Sequence, residues 1–378
     1  MIDSTNGDFN PKQWEQSQRD NTAKINEDEP HEHVSSITNT TLVPTNWRAL
    51  LGCRRCKYQL LIYLSDSMLT FASKHIINHE QKFITAGPSE PRSCNMSGHI
   101  KVEHKYKCES TESDSRLWRH STKCGYHRQL IYCPDTDGYI VGLTNHNNSA
   151  DIVVELTKVG SKERKLLHMK TLIDCLQRDP DLSLLPTQAL PAILQALYAS
   201  TGCDYTSFFF GVGKCSFFAA FCRYSDFICG PRAEGSLANS KSPNSYLAFL
   251  RLVGTTYFVK YRSTYRGTKS PVTLFNSCTG TSIEDQHIKR LDKIRAHVWE
   301  EVQNEFDLPP SHTAHKLHWL RTVWVIDMWT QASSNTNTTL PPTEDGWVKG
   351  DGGYSIQYDT EEHILLIRQR QSTLRPTF

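Results

Sequence analysis

The chain lacks a dominant sign of charge. Its 42 Lys and Arg against 40 Asp and Glu leave a formal net charge of +2. No global field then draws it to nucleic acid or to a membrane surface, and any basic binding surface must be local. Long apolar runs are missing too: none approaches the roughly 18–20 residues of a membrane span, so no membrane partner is expected. The start, MIDSTNGDFNPKQWEQ, is polar throughout and has no apolar signal-peptide core. No signal peptide is expected from it. Twelve cysteines are scattered without export signals, which predicts reduced thiols in a nuclear or cytoplasmic protein that is not secreted. The Asn-x-Ser/Thr triplets at Asn39 and Asn95 then carry no glycosylation meaning.

Several chemistries lack their signatures as well. There is no G-x-S-x-G elbow to frame a Ser-His-Asp or Cys-His arrangement. GVGKCS has neither the glycine spacing of a triphosphate-binding loop nor that of a dinucleotide fingerprint. No internal repeat is found.

What is present is alternation. Residues 1–42 are polar and read as an arm or a disordered lead-in. KYQLLIYLSDSML has helical apolar spacing, and residues 85–97 are a turn-rich break. HIKVEHKYKC, RQLIYCP, DIVVEL and RKLLHMK read as strands. TESDSRLWRHSTKC, TLIDCLQRD and ALPAILQALYAST read as helices between or after them. Strand and helix in alternation predict an α/β domain over residues 43–222, built on a parallel sheet flanked by helices. Amphipathic patterns at SYLAFLRLVGTTYFVKYRSTY, SIEDQHIKRLDKIRAHVWEEVQNEF and HTAHKLHWLRTVWVIDMW predict a mainly helical extension over 223–332. A Ser/Asn/Thr-rich linker and an irregular tail fill 333–378.

Three acidic groups stand where a carboxylate is awkward unless something uses it. Glu112 and Asp114 lie at a helix start, Asp135 and Asp137 directly follow an apolar strand, and Asp204 follows an apolar helix. Residues just beyond the strand C-termini of a parallel sheet line the ligand crevice. If these carboxylates converge there, their repulsion calls for a cation. Mg²⁺, or Mn²⁺ in its place, suits oxygen donors and leaves water sites for a substrate phosphate. Each pair also has a structural reading. Glu112 and Asp114 would complement a helix N-terminus, and Asp135 and Asp137 would form a turn before Gly138.

The segments ESTESDSR, IYCPDTDGYIV and TGCDYTSFFFGVGK, in this order, resemble the PIN-like nuclease superfamily and in particular its flap-endonuclease branch. The likeness is closer to a group of animal proteins with EEADTR, PDTDV and TGCDTxSxFxGxGK signatures. Pro44–Trp47 match their P-x-N-W segment upstream, and Leu308–Ser311 and Gly346–Trp347 match downstream segments, so the likeness spans most of residues 42–350. The resemblance implies a metal-binding role for Glu112, Asp114, Asp135, Asp137 and Asp204, with Asp135, Asp137 and Asp204 catalytic. It also implies a hydrolase cutting DNA or RNA. Two aspartates of the pattern near the domain start are poorly matched: Asp3 would correspond to the second, and the first has no counterpart. Thr111 and Gly138 also depart from the pattern. An N-terminally incomplete nuclease-like domain and a catalytically degenerate copy that binds nucleic acid or protein are both compatible with these departures.

The turn FGVGK adds Gly211 and Gly213, whose backbone N–H groups would be open to a phosphate, with Lys214 supplying charge. The resemblance makes it a hairpin gripping the nucleic-acid backbone. The alternative is a helix cap packed by Phe208–Phe210, and the phenylalanines are expected in the core. Cys53, Cys56, His75 and His79 approximate a zinc spacing, but the 18-residue gap reads as one helix, which argues against zinc and a zinc-stabilised module. His312, His315 and His318 share one helical stripe and are expected on a solvated face.

Overall fold

The computed structural model describes residues 37–42, 51, 54–87, 90–108, 113–230, 236–239, 242–262, 265, 267, 270–302, 307–334, 345–350 and 353–357. Glu112, Asp3, Cys53, Pro44–Trp47 and nearly all of the 1–42 lead-in lie outside them. The chain divides into two compact units. One is Met1–His127 with Ala332–Asn337, the other Arg128–Gln331 with Thr338–Phe378. This division falls inside the 43–222 stretch and joins the expected helical extension to the strands from Arg128 onward.

In the first unit, helix α1 (Arg54–His75) precedes an antiparallel sheet of β1 (Phe83–Thr85), β2 (Arg92–Cys94) and β3 (Ile100–Val102). Helix α2 (Ser113–Cys124) follows. Leu69, Cys94, Tyr106 and Trp118 are buried there. Beside them Glu103 accepts from Ser93 Oγ at 2.7 Å and pairs with Lys82. The Lys82 hydrogen bond is the main cause that holds the Glu103 carboxyl down at about 2.

The second unit opens with a β-α-β element: β4 (Arg128–Tyr132), α3 (Thr136–Asn145) and β5 (Asp151–Glu155). The strands pair parallel, Arg128 opposite Asp151 through Tyr132 opposite Glu155. The parallel sheet expected from the alternation is thus present as one pair, and β6 (Leu166–His168) closes the other side of β5 antiparallel. Helices do not cover both faces of the described sheet. Ile131, Ile152 and Val154 are buried, whereas Leu130, Tyr132 and Leu166 are exposed. A parallel sheet covered on both faces needs strands apolar on both sides, and RQLIY alternates.

Helices α4 (Met169–Arg178) and α5 (Leu190–Ser200) follow. The rest is a helical layer of α6 (Lys214–Cys229), α7 (Pro243–Lys260), α8 (Pro271–Asn276), α9 (Ile283–Glu301) and α10 (His312–Thr330). Helix α7 is buried nearly all round, from Ser245 to Phe258, as expected for the centre of a bundle. The fold is therefore α/β with a dominant helical share. No helix among the described residues is long and apolar enough to cross a membrane. Their eleven cysteines are all free thiols.

The tail differs from its expected irregularity. Strands β7 (Trp347–Gly350) and β8 (Gly353–Ile356) form a hairpin. Trp347 is buried at 2% exposure, 6.3 Å from the Trp324 ring. One aromatic on a short strand was enough to anchor a segment whose composition is otherwise that of a loop. The histidine stripe is also corrected: His315 and His318 face the core, stacked among Phe209 and Phe249.

Candidate functional site

The three aspartates are set by the start of α3 and by the turn that follows the end of α5. The parallel ladder runs one residue past β4, with Cys133 N–H donating to Glu155 O at 3.0 Å. Pro134 then stops the strand, and Asp135 becomes the N-cap of α3, accepting from Asp137 N–H. Asp137 occupies the first turn of α3, where the helix dipole favours a negative charge. Buried Gln195 fixes α3 against α5. Its amide donates to Ile140 O, Val141 O and Thr144 Oγ1 at 3.1, 3.3 and 2.9 Å. Its carbonyl accepts from Thr330 Oγ1 on α10 at 3.3 Å. Three residues further along the same face of α5, Tyr198 donates its hydroxyl to Asp137 Oδ1 at 2.6 Å.

Asp204 is presented by a tight turn. Cys203 and Thr206 exchange both backbone hydrogen bonds at 3.2 Å, which puts Asp204 and Tyr205 at the tip. Thr206 Oγ1 ties the turn to Ala199 O at 2.8 Å, and buried Tyr205 packs edge-on against Trp324. The entry to this turn requires glycine. Gly202 has φ +113°, and a Cβ there would meet the Phe208 ring at 2.5 Å. The small residues around Asp204 thus serve the turn, and the turn serves the carboxylate.

Asp135 and Asp204 both act on Asp137. The Asp137 carboxyl is raised above its ordinary value, first by burial. The Tyr198 hydrogen bond pulls it down, the charges of Asp135 and Asp204 raise it further, and the Lys214 ammonium partly offsets them. Lys214 belongs to this site in a different way from the phosphate contact expected of it. Its ammonium lies 3.4 Å from the centre of the Tyr198 ring and donates to Tyr198 O at 3.1 Å and to Gly202 O. It caps the last carbonyls of α5, and burial lowers its pKa.

The glycine turn itself is open. Gly211 takes φ +66°, with its carbonyl held by Lys260 Nζ at 2.9 Å. Gly213 is the N-cap of the 16-residue α6 and makes no side-chain cap bond. Of the expected core phenylalanines only Phe209 is buried; Phe208 and Phe210 are 59% and 60% exposed.

The structure thus brings Asp135, Asp137, Asp204 and Lys214 together, with Gly211 and Gly213 on the segment between Asp204 and α6. Asp114 lies in the first unit, buried in the opening turn of α2. Among the described residues no group of three or more His, Cys, Asp or Glu side chains is gathered closely enough to hold a metal ion. In donor chemistry three aspartates suit a hard cation such as Mg²⁺. Tyr198 and Gln195 were missed from sequence, although the i, i+3 spacing on a helix preceding Asp204 is visible there. No family model matches this chain, and no significant match emerges among curated proteins or solved structures.

Proposed function

We propose that the second unit is a magnesium-dependent phosphodiesterase of the PIN-like, flap-endonuclease kind, acting on DNA or RNA. The reading rests on one observation: the charges of Asp135, just past β4, and of Asp204, in the Cys203–Thr206 turn, raise the carboxyl of buried Asp137. Such repulsion is tolerated where a cation or a proton balances it. Asp135, Asp137 and Asp204 would hold Mg²⁺ or Mn²⁺, which supplies charge neutralisation and an acidified water when bound. In the hydrolysis, water attacks phosphorus, the P–O ester bond breaks, and the leaving oxygen takes a proton.

The chain's own residues set the conditions for that step. Tyr198 keeps its proton on the hydroxyl, because burial and the neighbouring Asp137 both oppose its ionisation, and so orients the Asp137 carboxylate through a donated bond. The backbone N–H groups opening α6 after Gly213 offer the position for a substrate phosphate. Lys214 contributes through the field at Asp137, two of its three donors being engaged with carbonyls.

A second reading is favoured by the near-neutral charge of the chain and by the first aspartate of the resembled pattern having no counterpart in it. In it the unit is a catalytically degenerate relative that binds nucleic acid or a protein partner without cutting. One assay separates the two. Purified chain with Mg²⁺ or Mn²⁺ is expected to cut flap or single-stranded substrates, and Asp137→Ala to abolish the cut. Equal residual cleavage by both proteins sinks the catalytic reading, and binding without cleavage supports the degenerate one.

A further inference from the structure

A cavity of about 140 Å³ lies within the second unit between the Ser207–Phe209 segment and α10. Its walls include Phe208, Phe209, Pro310, His315, His318 and Arg321. This is smaller than the roughly 300–1,000 Å³ of pockets for drug-sized ligands, and it suits one small ring system. His315 is only 1% exposed; a hydrogen bond to Ser311 O engages one of its ring nitrogens, and the other has no partner. A buried polar group without a partner is costly unless something outside the chain meets it. Its neighbours do not compete for the same role. His318 Nε2 donates to Ser200 O at 2.8 Å, and Arg321 Nη1 donates to Gly346 O and Gln357 O at 3.3 and 3.1 Å.

The chemistry of the walls narrows the occupant. Burial keeps the His315 imidazole neutral, its pKa pushed down to about 3, so with its N–H toward Ser311 O the other ring nitrogen offers an acceptor on a flat ring. Phe209 lies nearly parallel to that ring, with centroids 6.1 Å apart and planes 27° apart. Exposed Phe208 adds a further aromatic wall. A phosphate or carboxylate would use the cation but leave the aromatic walls idle. Water would meet the imidazole but not the rings. A nucleobase uses both, by stacking and by its hydrogen-bonding edge.

We propose that this cavity receives one unpaired nucleobase of a single-stranded nucleic acid. The inference deepens the phosphodiesterase reading and rests on its assignment of nucleic acid as ligand. The location suits that role, since Phe208 also lies 5.6 Å from Lys214 Nζ, beside the aspartates.

The test uses the full chain in EDTA, so that binding is read without hydrolysis. An eight-nucleotide single strand is compared with an abasic strand of equal length and charge. Stacking of one base predicts roughly tenfold weaker binding of the abasic strand. Phe208→Ala, at an exposed position, and His315→Phe should each remove that difference. The His315 side-chain ¹⁵N signals should move with the base-bearing strand alone. Equal affinity for both strands, no binding of either, unmoved His315 signals, or variants that still discriminate would each overturn the proposal. The outcome is separable from the hydrolysis reading. Asp137-dependent cleavage without base discrimination keeps the phosphodiesterase and rejects the pocket. Base discrimination without such cleavage does the reverse.

Discussion

Tyr198 donates its hydroxyl to Asp137 Oδ1 across 2.6 Å, joining α5 to the first turn of α3. The bond lowers the Asp137 pKa against the burial that raises it. Tyr198→Phe removes the lowering contribution, so the Asp137 carboxyl should hold its proton to higher pH. In a cleavage assay with Mg²⁺ the acid limb of the pH–rate profile should move upward, with the plateau at high pH largely kept. A limb that stays in place would mean that Asp137 does not govern it.

Lys214 distinguishes a cap from a phosphate contact. Its ammonium is bonded to Tyr198 O and Gly202 O, so Lys214→Met should leave partly buried carbonyls unmet and cost about 1–3 kcal/mol in urea unfolding. The salt dependence of single-strand binding should keep its slope. A direct phosphate contact would instead lower that slope by about one.

The glycines of TGCDYTSFFFGVGK should differ in tolerance. Gly202→Ala puts a Cβ 2.5 Å from the Phe208 ring at φ +113°, and strain of this kind costs about 1–3 kcal/mol. Gly213 is otherwise placed: its φ is −79°, and an added Cβ meets nothing within 4 Å. Gly213→Ala should therefore lose only the N-cap preference for glycine over alanine, about 0.5–1 kcal/mol. Chemical denaturation of both variants gives the comparison.

Much of the second unit was legible in residues 128–229. An apolar strand ended by Pro134, a capping Asp135 and a glycine-framed Asp204 are local signals, and each falls where the elements end. The bonds of Lys214 to Tyr198 O and Gly202 O were not legible, because they depend on where the end of α5 lies, a tertiary matter that spacing does not carry. The histidine stripe failed for a related reason. Polar residues at helical spacing read as a solvated face, but His315 and His318 gain their place from Phe209 and Phe249, distant in sequence. Trp347 had only its own hydrophobicity to mark it against a polar linker.

Those histidines set the acid limit of stability. His287, His315 and His318 are buried neutral, with pKa values pushed down to about 4, 3 and 4 mainly by desolvation. Unfolded, each titrates near 6.5, so between about pH 6.5 and 4 the unfolded chain binds more protons than the folded one. Their contribution is then fully present above pH 6.5 and lost as pH falls, by roughly 1.4 kcal/mol per pH unit for each proton taken up. Asp137 works in the opposite sense, since its raised pKa lets the folded chain take up a proton first. Urea midpoints measured from pH 7.5 to 4.5 should fall steeply below pH 6.5. His318→Gln, which retains a donor for Ser200 O, should flatten the fall by about one proton's slope. An unchanged slope in that variant would show that His318 is not among the groups that carry the acid limb.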